Sequence, residues 1–172
     1  MTDTDAYRLA IAHFATGVTV VTAEIQGAWA GMTASAVASV SLDPTLLLVC
    51  ISNRLPTHRA LEQGRRFAVN VLGEGQEAIA RRFATPAEDK FEGVRLDPAH
   101  HLPVLADAVA WFICDLHGQF PGGDHSIFIG EVKECNAKAG AKPLVYFRSE
   151  FGKIEDPDAY MARDLAAWDM TL

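Results

Sequence analysis

The most regular feature of this sequence is the alternation of apolar and polar residues with the two-residue period of β-strands. Seven segments have this alternation or a continuous apolar run and are predicted to be strands: 18–25, 28–37, 46–52, 67–72, 109–119, 125–135 and 144–147. Gln26-Gly27 separates the first two strands and predicts a hairpin turn. Residues 46–52 are the most apolar of the seven segments, which favours a buried strand.

Three short helices are predicted beside these strands. The first covers residues 5–15 and ends at Gly17, and the third covers residues 74–83. The second follows Pro56, with Thr57 as its N-cap and Gly64 at its end. Because strands and helices do not alternate regularly, the pattern favours an antiparallel barrel with peripheral helices over a parallel doubly wound sheet.

The chain is predicted to contain one domain and a tail. Its 172 residues include no repeat and no low-complexity linker, and this length is typical of a single domain. We expect the domain to cover residues 1–155. Residues 156–172 form the tail, where Tyr160, Met161, Leu165 and Trp168 fall on one side of a predicted short amphipathic helix.

Composition and charge narrow the class of protein. The 49% hydrophobic content is typical of a globular domain with an ample core. The formal net charge of -7 argues against binding to duplex nucleic acid, which requires Lys and Arg to neutralise phosphates. The N-terminus is too polar for a signal peptide and no apolar run is long enough to span a bilayer, so we expect a cytoplasmic protein without a membrane partner. The scattered Cys50, Cys114 and Cys135 predict reduced, buried thiols and no metal site.

The segment from Gly31 to Pro44 is the first candidate for a functional site. It alternates like a strand, but its residues are mostly Thr, Ala and Ser, whereas a core strand usually carries branched or aromatic side chains. Small residues leave room for a flat ligand to lie against backbone amides and hydroxyls. A close contact between strands, or a bulged edge at a barrel corner, explains the same pattern, and the residues alone leave both interpretations open.

An anion site is the second candidate. The loop 53–59 enters a predicted helix, whose first N–H groups and dipole favour negative charge. Thr57 adds a hydroxyl to this loop, and the Arg81-Arg82-Phe83 segment is a second basic source. An ordinary helix start with solvated arginines is the simpler interpretation of these residues taken alone. The Gly-rich motif of Rossmann dinucleotide sites is absent.

His125 is the third candidate, because it follows Gly122-Gly123-Asp124 at the start of a predicted strand. Its imidazole could donate a hydrogen bond to a carbonyl or phosphate of a ligand, or it could cap a carbonyl within the turn. Nothing indicates a nucleophilic enzyme, since the sequence has no Gly-x-Ser-x-Gly motif and its cysteines lack activating partners. Hydride or electron transfer through a bound organic cofactor is therefore the favoured chemistry.

Several segments, in this order and spacing, resemble the flavin reductase family, the short NAD(P)H:flavin oxidoreductases that supply reduced flavin to two-component monooxygenases. The resemblance covers about residues 7–154 and is carried by the segments 14–22, 31–44, 49–53, 67–72, 83–84, 89–91, 123–125 and 143–147. It implies a mainly β, antiparallel Greek-key split barrel of the FMN-binding type, with peripheral helices. It also implies a homodimer with the flavin near the subunit interface.

The resemblance further implies an enzyme that transfers a hydride from NADH or NADPH to FMN or FAD. A flavin-dependent monooxygenase would then receive the diffusible reduced flavin. Two other functions are open at this point. One is a protein that holds its flavin tightly and reduces another acceptor, such as a metal complex. The other is a non-catalytic protein that binds or stores flavin.

The resemblance also assigns roles to individual residues. It implies that the flavin ring lies against Thr33, Ala34, Ser35 and Ala36, that Cys50, Ile51 and Ser52 line the same pocket, and that Ser39 and Ser41 lie close by. It places the flavin phosphate at Thr57, His58, Arg82 and Phe83, and it places Lys90 and Phe91 over the flavin or the nicotinamide. Tyr146 would pack at the rim, and His125 would reach the nicotinamide as the catalytic residue.

Overall fold

Strands dominate the computed structural model, which describes residues 3–87 and 89–154. The strands are β1 Thr16–Gly17, β2 Thr19–Ile25, β3 Ala28–Ala34, β4 Val37–Leu42, β5 Thr45–Ser52, β6 Arg66–Val71, β7 Ala110–Gly122, β8 His125–Ala137, β9 Val145–Phe147 and β10 Glu150–Gly152. The helices are α1 Thr4–Ile11, α2 Pro56–Gly64 and α3 Glu77–Ala84. No helix within these described ranges is long and apolar enough to cross a bilayer.

Seven strands form one antiparallel sheet in the order β3-β2-β6-β7-β8-β5-β4. The two edge strands, β3 and β4, follow each other in the chain and are separated only by Ser35 and Ala36. The sheet therefore curls until its two edges are neighbours, yet β3 and β4 form no ladder in the described part of the chain. This confirms the predicted mainly β, antiparallel split barrel. A smaller sheet, β1-β9-β10, lies beside it.

The interior is filled from alternate positions of the strands and from one face of two helices. Val49, Ile51, Phe67 and Phe128 form one cluster, against which α2 places the buried Leu61. A second cluster joins the other end of β2 to Phe83 of α3. Each helix is thereby packed on the barrel beside β3.

The start of α2 differs from the prediction. Leu55 is the N-cap and makes no capping bond through its side chain, while Pro56 occupies the first helical turn. Thr57 was predicted to be the N-cap, and this is wrong, because proline is pre-organised for the first helical position and has no N–H to satisfy. The hydroxyl of Thr57 is consequently not used to cap its own helix.

Other helix and strand boundaries also differ from the predicted ones. The strand predicted over 28–37 is divided at Ser35-Ala36, which separates β3 from β4. Helix α1 stops at Ile11, before the predicted end, and α3 starts at Glu77. The predicted burial of the cysteines is correct for Cys114 and wrong for Cys135, which is exposed near the end of β8. The predicted helix of the tail, with Tyr160, Met161, Leu165 and Trp168, lies outside the described residues.

Candidate functional site

The link between β3 and β4 presents two free backbone donors. Ser35 and Ala36 are both exposed, and neither of their N–H groups donates to another described residue. Their carbonyl groups are occupied, because Ser35 accepts from the amide of Val37 and Ala36 accepts from the amide of Cys50, each at 3.0 Å. A backbone N–H without a partner needs water or a ligand. Two such groups side by side offer a ligand two adjacent hydrogen-bond donors.

The end of β5 brings further predicted residues to this link. The bond from Cys50 to Ala36 places β5 against it, and Cys50 and Ser52 are half-buried. Ile51 lies between them with its side chain fully buried in the core, so only its backbone can face a ligand. Ser52 pairs with His125 across the β5–β8 ladder. The fold therefore places His125 beside Ser52, although 73 positions separate the two residues along the chain.

His125 is held by its neighbour in the chain. The hairpin between β7 and β8 turns at Gly123, whose φ is 74°, and His125 Nδ1 lies 2.7 Å from a carboxylate oxygen of Asp124. This hydrogen bond, together with the charge of His125, lowers the pKa of Asp124. The bond occupies Nδ1 of His125. Because this side chain is 45% exposed, its Nε2 can bind a ligand.

A buried polar chain supports the same turn. His58 Nε2 lies 2.8 Å from the Ser126 hydroxyl, and that hydroxyl donates to Oδ1 of Asn53 at 2.9 Å. Because the hydroxyl hydrogen is given to Asn53, His58 must carry its hydrogen on Nε2. His58 is only 8% exposed and packs edge-on against Phe128. Its imidazole is thus a structural link between α2 and β8, although the resemblance placed it at the phosphate.

Thr57, Lys90 and Phe91 meet in a cavity of about 510 Å³ that lies along the outer side of β3. Lys90 Nζ donates to the carbonyl of Phe83 at 3.0 Å and to that of Gly31 at 3.3 Å. Burial lowers the pKa of Lys90. A Cβ on Gly31 would lie 2.7 Å from the Phe83 ring, so only glycine permits this close packing. Phe83 itself is buried beneath the cavity and does not line it.

A second cavity, of about 290 Å³, reaches Ser35 of the β3–β4 link. Thr33, Ala34, Ser35 and Tyr146 line it, together with Arg81 and Phe151. Arg81 lies 5.0 Å above the Phe151 ring and pairs with Glu77. Arg82, the arginine that the resemblance implied, points instead to the carbonyl of Glu92. Both arginines lie on α3, and the orientation of this helix on the barrel decides which of them reaches the smaller cavity.

Several predicted residues line neither cavity, among them Ala36, Cys50, Ser52, His125, Ser39 and Ser41. Ser39 and Ser41 follow the link along β4, where they stand opposite Leu47 and Leu46. The Ser41 hydroxyl accepts a hydrogen bond from the amide of Asp43 at 3.2 Å. A role for either serine in flavin binding stays a prediction.

The structure also gives places to residues that the resemblance did not name as site residues. Arg81 and Phe151 line the smaller cavity, Trp29 lines the larger one, and Asn53 and Ser126 form the buried chain. Trp29 carried a signal, since a large aromatic residue interrupts a segment of small residues. No local pattern distinguishes Asn53 or Ser126, because their partners lie about 70 positions away.

Comparison with known proteins identifies the family of this chain. Residues 11–155 match the flavin reductase like domain. The reductase component of 4-nitrophenol 4-monooxygenase/4-nitrocatechol 2-monooxygenase from Rhodococcus opacus is 43% identical over 150 residues, which are 87% of this chain and 80% of that protein. The reductase component of 4-hydroxyphenylacetate 3-monooxygenase from Thermus thermophilus is 38% identical over 153 residues, which are 89% of this chain and 98% of that protein.

A solved structure shows the same fold. The NADH:FAD oxidoreductase of Streptomyces globisporus, in complex with NAD and FAD fragments, superposes with a TM-score of 0.85. The two sequences are 38% identical, and the match covers 91% of this chain and 95% of the other. This chain therefore belongs to the flavin reductase-like domain family, and it is an oxidoreductase of that family.

Proposed function

We propose that this protein transfers a hydride from NADH to FMN or FAD and supplies the reduced flavin to a partner monooxygenase. The free amides of Ser35 and Ala36 carry this proposal. They lie on exposed, small residues at the split of the barrel, where nothing in the described chain covers them. The names of the relatives support the pairing with a monooxygenase, and NADH is named for the Streptomyces oxidoreductase.

The residues at the split fit a flavin. A flat ring needs small side chains beneath it, and its carbonyl and nitrogen edge needs donors, which Ser35 and Ala36 offer through their N–H groups. Ala34, Cys50 and Ser52 complete a floor of small residues. Donors fixed in place before the reaction stabilise negative charge that develops on a ring as it is reduced. When bound, the flavin supplies the ring nitrogen that accepts the hydride.

The flavin phosphate is assigned to the larger cavity. Thr57 lies there at the start of α2, a helix without a side-chain cap, and the N–H groups of such a helix start attract anions. Lys90 adds a cation whose position is set by two backbone carbonyls. A phosphate between Thr57 and Lys90 would join the cavity to the floor at Ala34–Ala36 along β3.

His125 is assigned to the reductant. It stands beside Ser52, so a nicotinamide stacked on a ring at Ser35 would pass within its reach. Its Nε2 would bond the carboxamide or a phosphate of NADH, while Asp124 fixes the imidazole through Nδ1. In this assignment His125 binds and orients the reductant, and no side chain has to transfer a proton. Proximity and orientation then supply most of the acceleration.

Steady-state kinetics of the purified apoprotein test the proposal. We expect oxidation of NADH that depends on added flavin, at about 1 s⁻¹ or faster, with flavin behaving as a saturable substrate. Flavin retained through gel filtration would favour the alternative of a tight flavoprotein that reduces another acceptor. If the protein bound flavin but oxidised neither NADH nor NADPH, it would be a non-catalytic protein that binds or stores flavin, and the proposal would be wrong.

We also propose that the protein works as a homodimer. Strand β4 is an edge of the sheet in which no residue is fully buried, and Leu42 is 86% exposed. An unpaired edge with exposed apolar residues usually needs a cover, and a second copy would also enclose the small-residue floor beside it. Light scattering at assay concentration should give twice the mass of the chain. An active monomer in that measurement would contradict the proposal.

A further inference from the structure

Most of the larger cavity has no role in the site described so far. The proposed flavin phosphate between Thr57 and Lys90 would fill one part of it, but the cavity has a volume of about 510 Å³ and continues along β3 to Gly27 and Trp29. This volume lies within the range of about 300–1,000 Å³ that is typical of small-molecule sites. The cavity is therefore much larger than a single phosphate requires.

Trp29 forms an aromatic wall at the end farther from Ser35. It is 49% exposed, and the pleat of β3 places it on the same side as Gly31 and Thr33. Its ring meets that of Phe91 edge-on at 5.6 Å, and Phe91 meets the buried Phe83 at 5.1 Å. The indole is thus supported from the core while about half of it stays open. Such a surface suits stacking by a base, since every base has a π-face.

The polar groups of the cavity are divided between two parts. Thr57 is 2% exposed and lines the cavity. Thr57 and Lys90 together line one part of the cavity, and this part suits phosphate groups. Asp89 and Glu92 line the loop side, and carboxylates there repel phosphates but accept hydrogen bonds from hydroxyl groups such as those of a ribose. The Asp89 carboxylate already accepts from the amides of Phe91 and Glu92.

We propose that this cavity binds the adenosine diphosphate part of a dinucleotide, with the adenine stacked on Trp29 and the phosphates between Thr57 and Lys90. This rests on the proposed function, under which the protein meets two such molecules, FAD and NADH. The larger cavity and the proposed flavin floor are both lined by residues of β3, which favours FAD. The site would then make FAD bind more tightly than FMN, since FMN lacks the adenosine.

The test measures binding directly. Dissociation constants for FAD, FMN and ADP are measured by calorimetry for the wild type and for Trp29→Ala, without any turnover. We expect Trp29→Ala to weaken FAD and ADP by about 5- to 150-fold, which is the loss of one base stacked on an aromatic ring. FMN should bind unchanged. Trp29→Phe should restore most of the affinity, because it keeps a ring in place.

Two further measurements separate the outcomes. The KM for NADH is measured with FMN as the acceptor. If this KM rises in Trp29→Ala while the ratio of the dissociation constants for FAD and FMN stays constant, the adenosine diphosphate that binds the cavity belongs to NADH. Phe120→Ala, which removes another exposed aromatic residue outside both cavities, is the matched control. Unchanged affinity for FAD, ADP and NADH in Trp29→Ala would overturn this inference, while reduction of FMN by the same variant would leave the proposed function standing.

Discussion

Ser35→Trp is expected to abolish flavin binding while the protein stays folded. Ser35 is exposed at the split between β3 and β4, so an indole there meets no core residue and the barrel should keep its stability. The same indole would occupy the space above the free amides of Ser35 and Ala36, where the ring is proposed to lie. Quenching of flavin fluorescence by added protein measures the binding, and thermal unfolding measures the stability.

Gln63→Trp is the matched control for this variant. Gln63 is exposed on α2 and lines neither cavity, so the new indole should change neither binding nor folding. If Ser35→Trp bound flavin with wild-type affinity, the β3–β4 link would not be part of the flavin site. Loss of binding accompanied by unfolding would instead show that Ser35 is required for the fold, which its exposure argues against.

His125→Ala is expected to raise the KM for NADH by roughly 2- to 100-fold. The variant removes one hydrogen bond to the reductant, which contributes about 0.5–1.5 kcal/mol, or up to about 3 kcal/mol if the imidazole is charged. A difference of about 1.4 kcal/mol corresponds to a tenfold change. The dissociation constant for flavin should stay nearly constant, because the ring is held by the backbone of Ser35 and Ala36. Steady-state kinetics and a flavin titration measure the two constants separately.

Two variants sharpen this test. His101→Ala removes an exposed histidine outside both cavities and should leave both constants unchanged. Asp124→Asn keeps the imidazole of His125 but replaces its ionised partner, so we expect a smaller rise in KM than in His125→Ala. A collapse of flavin binding in His125→Ala, with the KM for NADH unchanged, would place His125 in the flavin site or in the fold.

Much of the fold could be predicted because the signals are local. The apolar run of β5, the alternation in β6 and the Gln26-Gly27 turn each depend on neighbouring residues, and all three elements are present. The division of 28–37 into β3 and β4 could not be predicted. Ser35 and Ala36 suit a strand as well as a bend, and the ladders that end on either side of them involve β2 and β5.

The candidate site shows the same division between local and distant causes. The resemblance named Thr57 and Lys90, and the fold brings them to one cavity. It also named His58, Ile51 and Phe83, whose side chains are buried. Their burial results from contacts with Ser126, the core of the barrel and Gly31, and no pattern along the chain reveals contacts between segments so far apart.

By itself, the sequence determined the strands, the family and the small-residue segment that the flavin is proposed to occupy. These follow from residue size, polarity and order along the chain, which act locally. The tertiary structure alone decided which groups are free to act. Two amides are free because β3 and β4 pair with β2 and β5 and not with each other. Arg81 reaches a cavity instead of Arg82 because α3 packs on β3 in one orientation, in which the Ala80 carbonyl accepts a hydrogen bond from Thr33.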